Sequence, residues 1–143
     1  MLIGEFRHVI DDKKRISMPA NFRKEIGKKI VVTKGLGNCL IAYTLEGWKK
    51  ISEQMDLPMT QSSSRDFGRF FFGSAYEVEI DTMGRILIAD QLKDYACLKS
   101  RVVIVGLNSR IEIWDEKCWK EHIDKVEKQA DVLAEQLSAI GAF

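Results

Sequence analysis

The sequence has little of what marks an exported, membrane-bound or catalytic chain. Cysteine occurs three times in 143 residues, at Cys39, Cys97 and Cys118. An odd number without C-x-x-C spacing argues against a disulfide framework. The longest apolar run, "VVIVGL", is far short of the roughly 20 residues that cross a bilayer. Met1–Arg7 has neither the basic n-region nor the apolar h-region of a signal peptide. A cytosolic protein with no membrane partner is the expectation. Chemistry-bearing motifs are equally scarce: there are no paired carboxylates, no nucleophile elbow and no phosphate loop, and "GLG" is a turn rather than a dinucleotide fingerprint. Cys118 and His122 lie four apart on a helical stretch, but no third or fourth ligand follows at metal spacing, so Cys118 reads as helix packing. His8 falls on the apolar face of a strand and reads as a core histidine rather than a base. No enzyme activity, cofactor or small-molecule substrate is expected.

What is present suits a soluble globular chain: 45% hydrophobic and 30% charged residues. The length allows one ordinary domain, or two very small ones that must share a core. Net charge is +1, but it is unevenly spread. Residues 1–34 hold nine Lys or Arg against four Asp or Glu, a local +5, while the other 109 hold 13 against 17, or −4. A basic end on an acidic body suits one surface meeting a polyanion, or simply a solvated lysine-rich face.

The dominant feature is a repeat. "DDKKRISMPANFR" (Asp11 to Arg23) has a relative in "DTMGRILIADQLK" (Asp81 to Lys93). At a shift of 70, Arg15 meets Arg85, Ile16 meets Ile86 and Phe22 meets Leu92; at 71, Gly35 meets Gly106, Tyr43 meets Trp114 and Trp48 meets Trp119. The pattern predicts a duplicated supersecondary unit, with halves at 1–73 and 74–143. Units of about 70 residues are marginal alone, so they are expected to pack about a pseudo-twofold axis.

Each half has a legible local code. Phe6, His8 and Ile10 share one strand face, as do Tyr76, Val78 and Ile80 in "AYEVEI". Asp11 and Asp81 then accept amide hydrogen bonds and shape a tight turn, and Arg15 and Arg85 begin the return strands. Pro19 ends ladder donation, and Phe22 with Ile26 gives a short helix stopped by Gly27. "IVVT" and "CLIAY" follow as strands around Gly35–Asn38, repeated as "VVIV" and "IEIW" around Asn108. Thr44 is placed to cap a helix with Leu45, Trp48 and Met55 on its apolar face. After a loop around Pro58, Ser63 and Asp66 read as a capping box for "RDFGRFFF". Phe67, Phe70, Phe71 and Phe72 sit at helical spacing without interleaved cations beyond Arg65 and Arg69, which favours core over base stacking. At the end, Trp119, Ile123, Val126, Ala130, Leu133, Leu137 and Ile140 run 4-3-4-3-4-3, a heptad seam that predicts one C-terminal helix buried against its own barrel or a neighbouring subunit.

Taken in order, "MLIGEF", "D-x-K-x-R" with "PANFR", "GLGNCLIAY", "RFFFGSA", "DTMGRILI" and "RIEIW" resemble the MraZ family of bacterial transcriptional regulators over essentially the whole chain. The resemblance implies a mainly β double-split barrel of two SpoVT-AbrB-type halves with appended helices. It also implies a homo-oligomeric ring acting on double-stranded DNA, at short direct repeats in the promoter of its own division and cell-wall gene cluster, and a nucleoid-associated location. One departure stands out: the family's first motif reads D-x-K-G-R, whereas Lys14 stands in the glycine place here. Lysine adopts positive φ less readily than glycine, which leaves the shape of the first turn open. The second motif keeps Gly84.

Arg15 sits with Lys13 and Lys14, three cations at one loop tip, which calls for an anion. Arginine suits bidentate guanine contact in the major groove, and Lys13 and Lys14 suit phosphates, which position without specifying. These three are the expected DNA contacts; Asp11, Asp81 and Arg85 are assigned to holding the motif. The second loop is approached by the acids of "YEVEID", so it is expected to face away from a polyanion. An AbrB-like protein-interaction module of antitoxin type is the alternative, disfavoured by a heptad helix where a disordered tail would be.

Overall fold

A computed structural model describes residues 1–143. Eight strands and six helices follow in the order β1 (Leu2–Val9), β2 (Arg15–Ser17), α1 (Ala20–Ile26), β3 (Lys29–Lys34), β4 (Leu40–Thr44), α2 (Leu45–Gln54), α3 (Ser62–Phe71), β5 (Tyr76–Glu79), β6 (Arg85–Leu87), α4 (Asp90–Tyr95), β7 (Arg101–Asn108), β8 (Ile111–Asp115), α5 (Glu116–Lys128) and α6 (Ala130–Ala139). Every ladder is antiparallel. Six strands form one sheet, β1-β7-β8-β4-β3-β5, and β2 pairs with β6 in a separate ribbon.

That order reads the same from either end once each strand is exchanged for its repeat partner: β1 for β5, β3 for β7, β4 for β8. The registers carry the same symmetry. In the ribbon Ile16 pairs with its own equivalent, Ile86. Where the halves meet in the sheet, Ile41 pairs with its equivalent, Glu112. The bonds beside the ribbon also come in matched pairs: the Met18 amide donates to the Gly84 carbonyl at 2.8 Å, and the Ile88 amide to the Lys14 carbonyl at 2.9 Å. The repeat in the sequence is thus a pseudo-twofold in space.

The halves exchange their first strands. β1 pairs with β7 of the second half, and β5 with β3 of the first. One cluster of 19 buried apolar side chains joins them, with Ile16, Met18, Ile86 and Ile88 beside Phe22 and Leu92. Period-2 alternation explains the choice: Ile16 and Ile86 point inward, while Arg15, Ser17, Arg85 and Leu87 share the outward face of the ribbon.

The helices follow the sequence in part. α1 buries Phe22 and Ile26 and stops at Gly27, whose φ of 68° suits glycine. The Thr44 hydroxyl accepts the Gly47 amide at 2.9 Å and caps α2. Its packed face is the half-buried Trp48, Ile51 and Met55 against Tyr43 and Phe71, while Leu45 points outward at 46% exposure. The aromatic run does pack as core: Phe71 is buried, with Phe67, Phe70 and Phe72 around it.

Two expectations fail. Ser63 and Asp66 form no capping box, because α3 starts two residues earlier than that cap would require, after Gln61, with no side-chain cap; Asp66 instead pairs with Arg69 at 2.8 Å. The heptad seam is not one helix. Gln129 leaves helical geometry (φ −110°, ψ 7°) and divides α5 from α6. Trp119 packs with Trp114 and Val103, but Leu133, Leu137 and Ile140 are 38%, 44% and 78% exposed within the single chain.

Candidate nucleic-acid interface

The two D-x-x-x-R segments close nearly identical turns. Asp11 Oδ1 accepts the amides of Lys13 (2.8 Å) and Arg15 (2.9 Å), and Oδ2 accepts Arg15 Nε at 2.8 Å. Asp81 does the same with Met83 (2.9 Å), Arg85 (2.9 Å) and Arg85 Nε (2.8 Å). The backbone closes each turn as well, Asp11 to Arg15 and Asp81 to Arg85. An aspartate is needed because only a short acceptor reaches amides two and four residues on. An arginine is needed because its Nε–H meets the second oxygen side-on. The amides of Arg15 and Arg85, foremost, and then their guanidiniums hold both carboxyls below the usual aspartate range.

Lys14 resolves the question its residue type raised. It takes φ 61°, beside 78° for Gly84, so both turns keep one shape despite the substitution. Its ammonium pairs with Asp90 at the start of α4 in the other half. Lys13 is exposed and has no ion-pair partner.

Each arginine commits Nε to its own aspartate, leaving the terminal Nη1 and Nη2 atoms without protein partners. In the ribbon Arg15 lies opposite Leu87 and Arg85 opposite Ser17. The two arginines are therefore diagonal neighbours on one outward face, a relation that spans about 7–8 Å in an antiparallel pair. The structure thus brings Arg15 and Arg85 to one outward face, while Lys13 is exposed in the turn before Arg15 and the Lys14 ammonium goes to Asp90.

Folding carries one charge of each sign across the division seen along the sequence. Arg23 follows the first loop in sequence but lies over the second turn. A Cβ at Gly84 would run into its guanidinium, and its Nε donates to the Met18 carbonyl at 3.1 Å. With Lys28 and Lys29 it lines an open cleft of about 550 Å³ whose other wall is Glu79, Asp81 and Thr82. Conversely, the first turn receives Asp90. Sequence reasoning missed Arg23 because the turn it lies over, at Gly84, is about 60 residues away; only the repeat, placing Gly84 opposite Lys14, hints that the two turns are filled differently.

The remaining candidates hold no chemistry that competes. Burial pushes the Cys39 thiol up to about 12, and His122 stacks on Trp114 with ring centroids 5.0 Å apart. Burial, then the charge of Arg23, lowers the His8 pKa. No three His, Cys, Asp or Glu side chains gather as a metal set, and no helix is long and apolar enough to cross a membrane.

Two interlocked copies of one strand–turn–strand unit, each presenting an arginine fixed by its own aspartate, define a class: the tandem, pseudo-twofold β proteins with paired D-x-x-x-R turns. Comparison with known families narrows it. The family model described as "MraZ protein, putative antitoxin-like" matches residues 1–70 and again 71–139. A Moorella thermoacetica protein named transcriptional regulator MraZ is 45% identical over 138 residues, 96% of each chain. Proteins of the same name from Caldicellulosiruptor saccharolyticus and Acetivibrio thermocellus are 43% and 42% identical over 142 residues, 99% of each chain. The chain belongs to the MraZ family.

Proposed function

We propose that this chain is a sequence-specific regulator of transcription that binds double-stranded DNA through the outward face of the β2–β6 ribbon. One observation carries the reading: Arg15 is oriented by Asp11 through Nε while its terminal nitrogens stay free. A guanidinium fixed this way presents a two-donor fork suited to the O6 and N7 atoms of guanine. Lys13 supplies a phosphate contact; Lys14 supplies a second once released from Asp90. Asp11, Asp81 and Arg85 shape the turns. The names of the relatives point to regulation rather than catalysis.

A single three-residue turn offers too few contacts for tight specific binding, so several copies must act along one duplex. The reading is therefore of a closed homo-oligomeric ring on short direct repeats, with the promoter of the chain's own gene cluster as the target, in the cytoplasm and at the nucleoid. The exposed apolar side chains of α6 offer a surface for such assembly. Footprinting of the purified protein on DNA upstream of its own gene tests the whole reading. Protection recurring at near-helical-turn intervals is expected. Absence of any protection by folded protein at low salt would remove DNA binding and leave the protein-interaction reading that "antitoxin-like" suggests.

A further inference from the structure

The cleft over the second turn is not explained by the Arg15 face. Arg23 reaches it from α1 of the first half, held by the Met18 carbonyl through Nε and seated on Gly84. It has no carboxylate within ion-pair distance, and neither has Lys28 beside it. Of the other charges in the cleft, Asp81 is neutralised by Arg85 at 2.8 Å. Lys29 faces Glu79 across the ladder and reaches Glu77 at 3.7 Å. What remains is an oriented guanidinium and a free ammonium, against the one unpaired carboxylate of Glu79, in an open cavity of about 550 Å³ that Thr82 also lines.

The equivalent place at the first turn is built otherwise. The repeat puts Lys93 where Arg23 stands and Lys14 where Gly84 stands. The Lys14 side chain crosses to Asp90, so its charge is already met. Only at the second turn does glycine leave room for a cation from the other half to lie unpaired. A fixed guanidinium without a counter-ion fits an oxyanion that offers two oxygens to its fork, and a phosphate does so.

We propose that Arg23 and Lys28 form a phosphate-binding site, composed across the two halves, and that its ligand is a backbone phosphate of the duplex lying on the Arg15 face. This rests on the DNA-binding reading. Arg85, whose turn floors the site, is a diagonal neighbour of Arg15 on the same ribbon face, so a duplex seated on Arg15 passes this cleft. Arg23 thus positions the duplex without reading its sequence, and the second half, acidic along the chain, gains its hold on DNA from a borrowed cation.

The test is a binding titration of full-length, folded Arg23→Ala across a salt series, on the protected repeat and on an unrelated duplex. Lys24→Ala, on the same helix but outside the cleft, is the control. Arg23→Ala should weaken both duplexes by the same factor and flatten the slope of log K against log salt by about 0.9 for each phosphate no longer engaged. Lys24→Ala should do neither. Lys28→Gln should repeat the effect, and serves alone if Arg23→Ala does not fold. An unchanged slope in both variants, while wild type binds the repeat, overturns the site and leaves the DNA reading standing. Weakening confined to the repeat makes Arg23 a base reader and overturns the phosphate assignment. If inorganic phosphate raises the melting temperature of wild type but not of Arg23→Ala, with duplex affinity equal in both, a free phosphate ligand occupies the site and the backbone assignment fails. If wild type binds no DNA at all, the failure is that of the underlying reading.

Discussion

Lys14 adopts φ 61° in a turn that its repeat partner makes with glycine. Left-handed backbone disfavours a non-glycine residue by about 1 kcal/mol, and the hydrogen bonds converging on each Asp–Arg turn are enough to impose it. The Asp90 contact then settles where the Lys14 charge goes. Asp90→Asn should release that ammonium, raise affinity for any duplex and steepen the salt dependence by up to about 0.9 per subunit. Lys13→Ala should flatten the dependence, and Lys14→Ala should change it less because Asp90 already meets its charge; titration of the three variants checks the order. Acid gives a second test. The folded pKa values of Asp11 and Asp81 lie below the reference of 3.8. Their stabilisation is present above pH 3.8 and is lost as pH falls through the lower folded values. Asp11→Asn should accordingly be less stable than wild type at neutral pH, with the gap closing below pH 3.8 in a chemical-denaturation series; a pH-independent gap would sink this account. The turns were legible in the sequence because Asp and Arg act within five residues. Asp90 and Arg23 were not, because the turn each one meets belongs to the other half.

At the scale of elements, short-range signals read well where one residue decides and poorly where several compete. Thr44 and Gly27 each end or begin a helix by a single local bond or a single φ, and both act as the sequence predicts. Ser63 lost its capping role to a helix that begins earlier, and Asp66 found a closer partner in Arg69. The C-terminal periodicity holds for Trp119, which is buried, but it missed the break at Gln129 beyond which the seam lies exposed in the single chain, since a heptad records spacing and not backbone continuity. α5 is anchored by the Asp115 cap, whose Oδ2 accepts the Cys118 amide at 3.4 Å, and by Trp119 in its cluster. α6 has no side-chain cap bond and no buried residue. An amphipathic helix held so weakly needs cover from elsewhere. Replacing Leu133 and Leu137 together by Ser should leave the thermal transition of the core within a few degrees of wild type while lowering the mass seen by light scattering. A multimer of unchanged mass would locate the assembly surface elsewhere.

At the scale of the whole molecule, duplication explains why a chain of 143 residues can be one cooperative unit. The sequence showed two halves; it did not show that they exchange strands, because pairing of β1 with β7 joins residues about 100 positions apart and no local pattern records it. The consequence is that neither half owns its own sheet. Residues 1–73 alone would keep β3 and β4 but lose β7 beside β1, β5 beside β3 and β6 beside β2. They would expose Ile16, Met18, Phe22 and Ile30 to water, all fully buried in the intact chain. Each such side chain contributes roughly 1.5–3 kcal/mol on burial, so four of them approach the roughly 5–15 kcal/mol that stabilises a typical domain. Residues 74–143 alone face the same loss through Ile86, Ile88 and Leu92. Each half expressed by itself should therefore show no cooperative thermal transition by circular dichroism. Mixing the two should restore one, because every missing ladder is supplied by the other piece. Ile16→Ala in the full chain, at the centre of the pseudo-twofold, should cost about 2–5 kcal/mol and shift a single transition rather than split it. A half that melts cooperatively alone, or an Ile16→Ala chain that unfolds in two steps, would mean the halves are independent domains and the shared core is not what holds the paired arginine turns on one face.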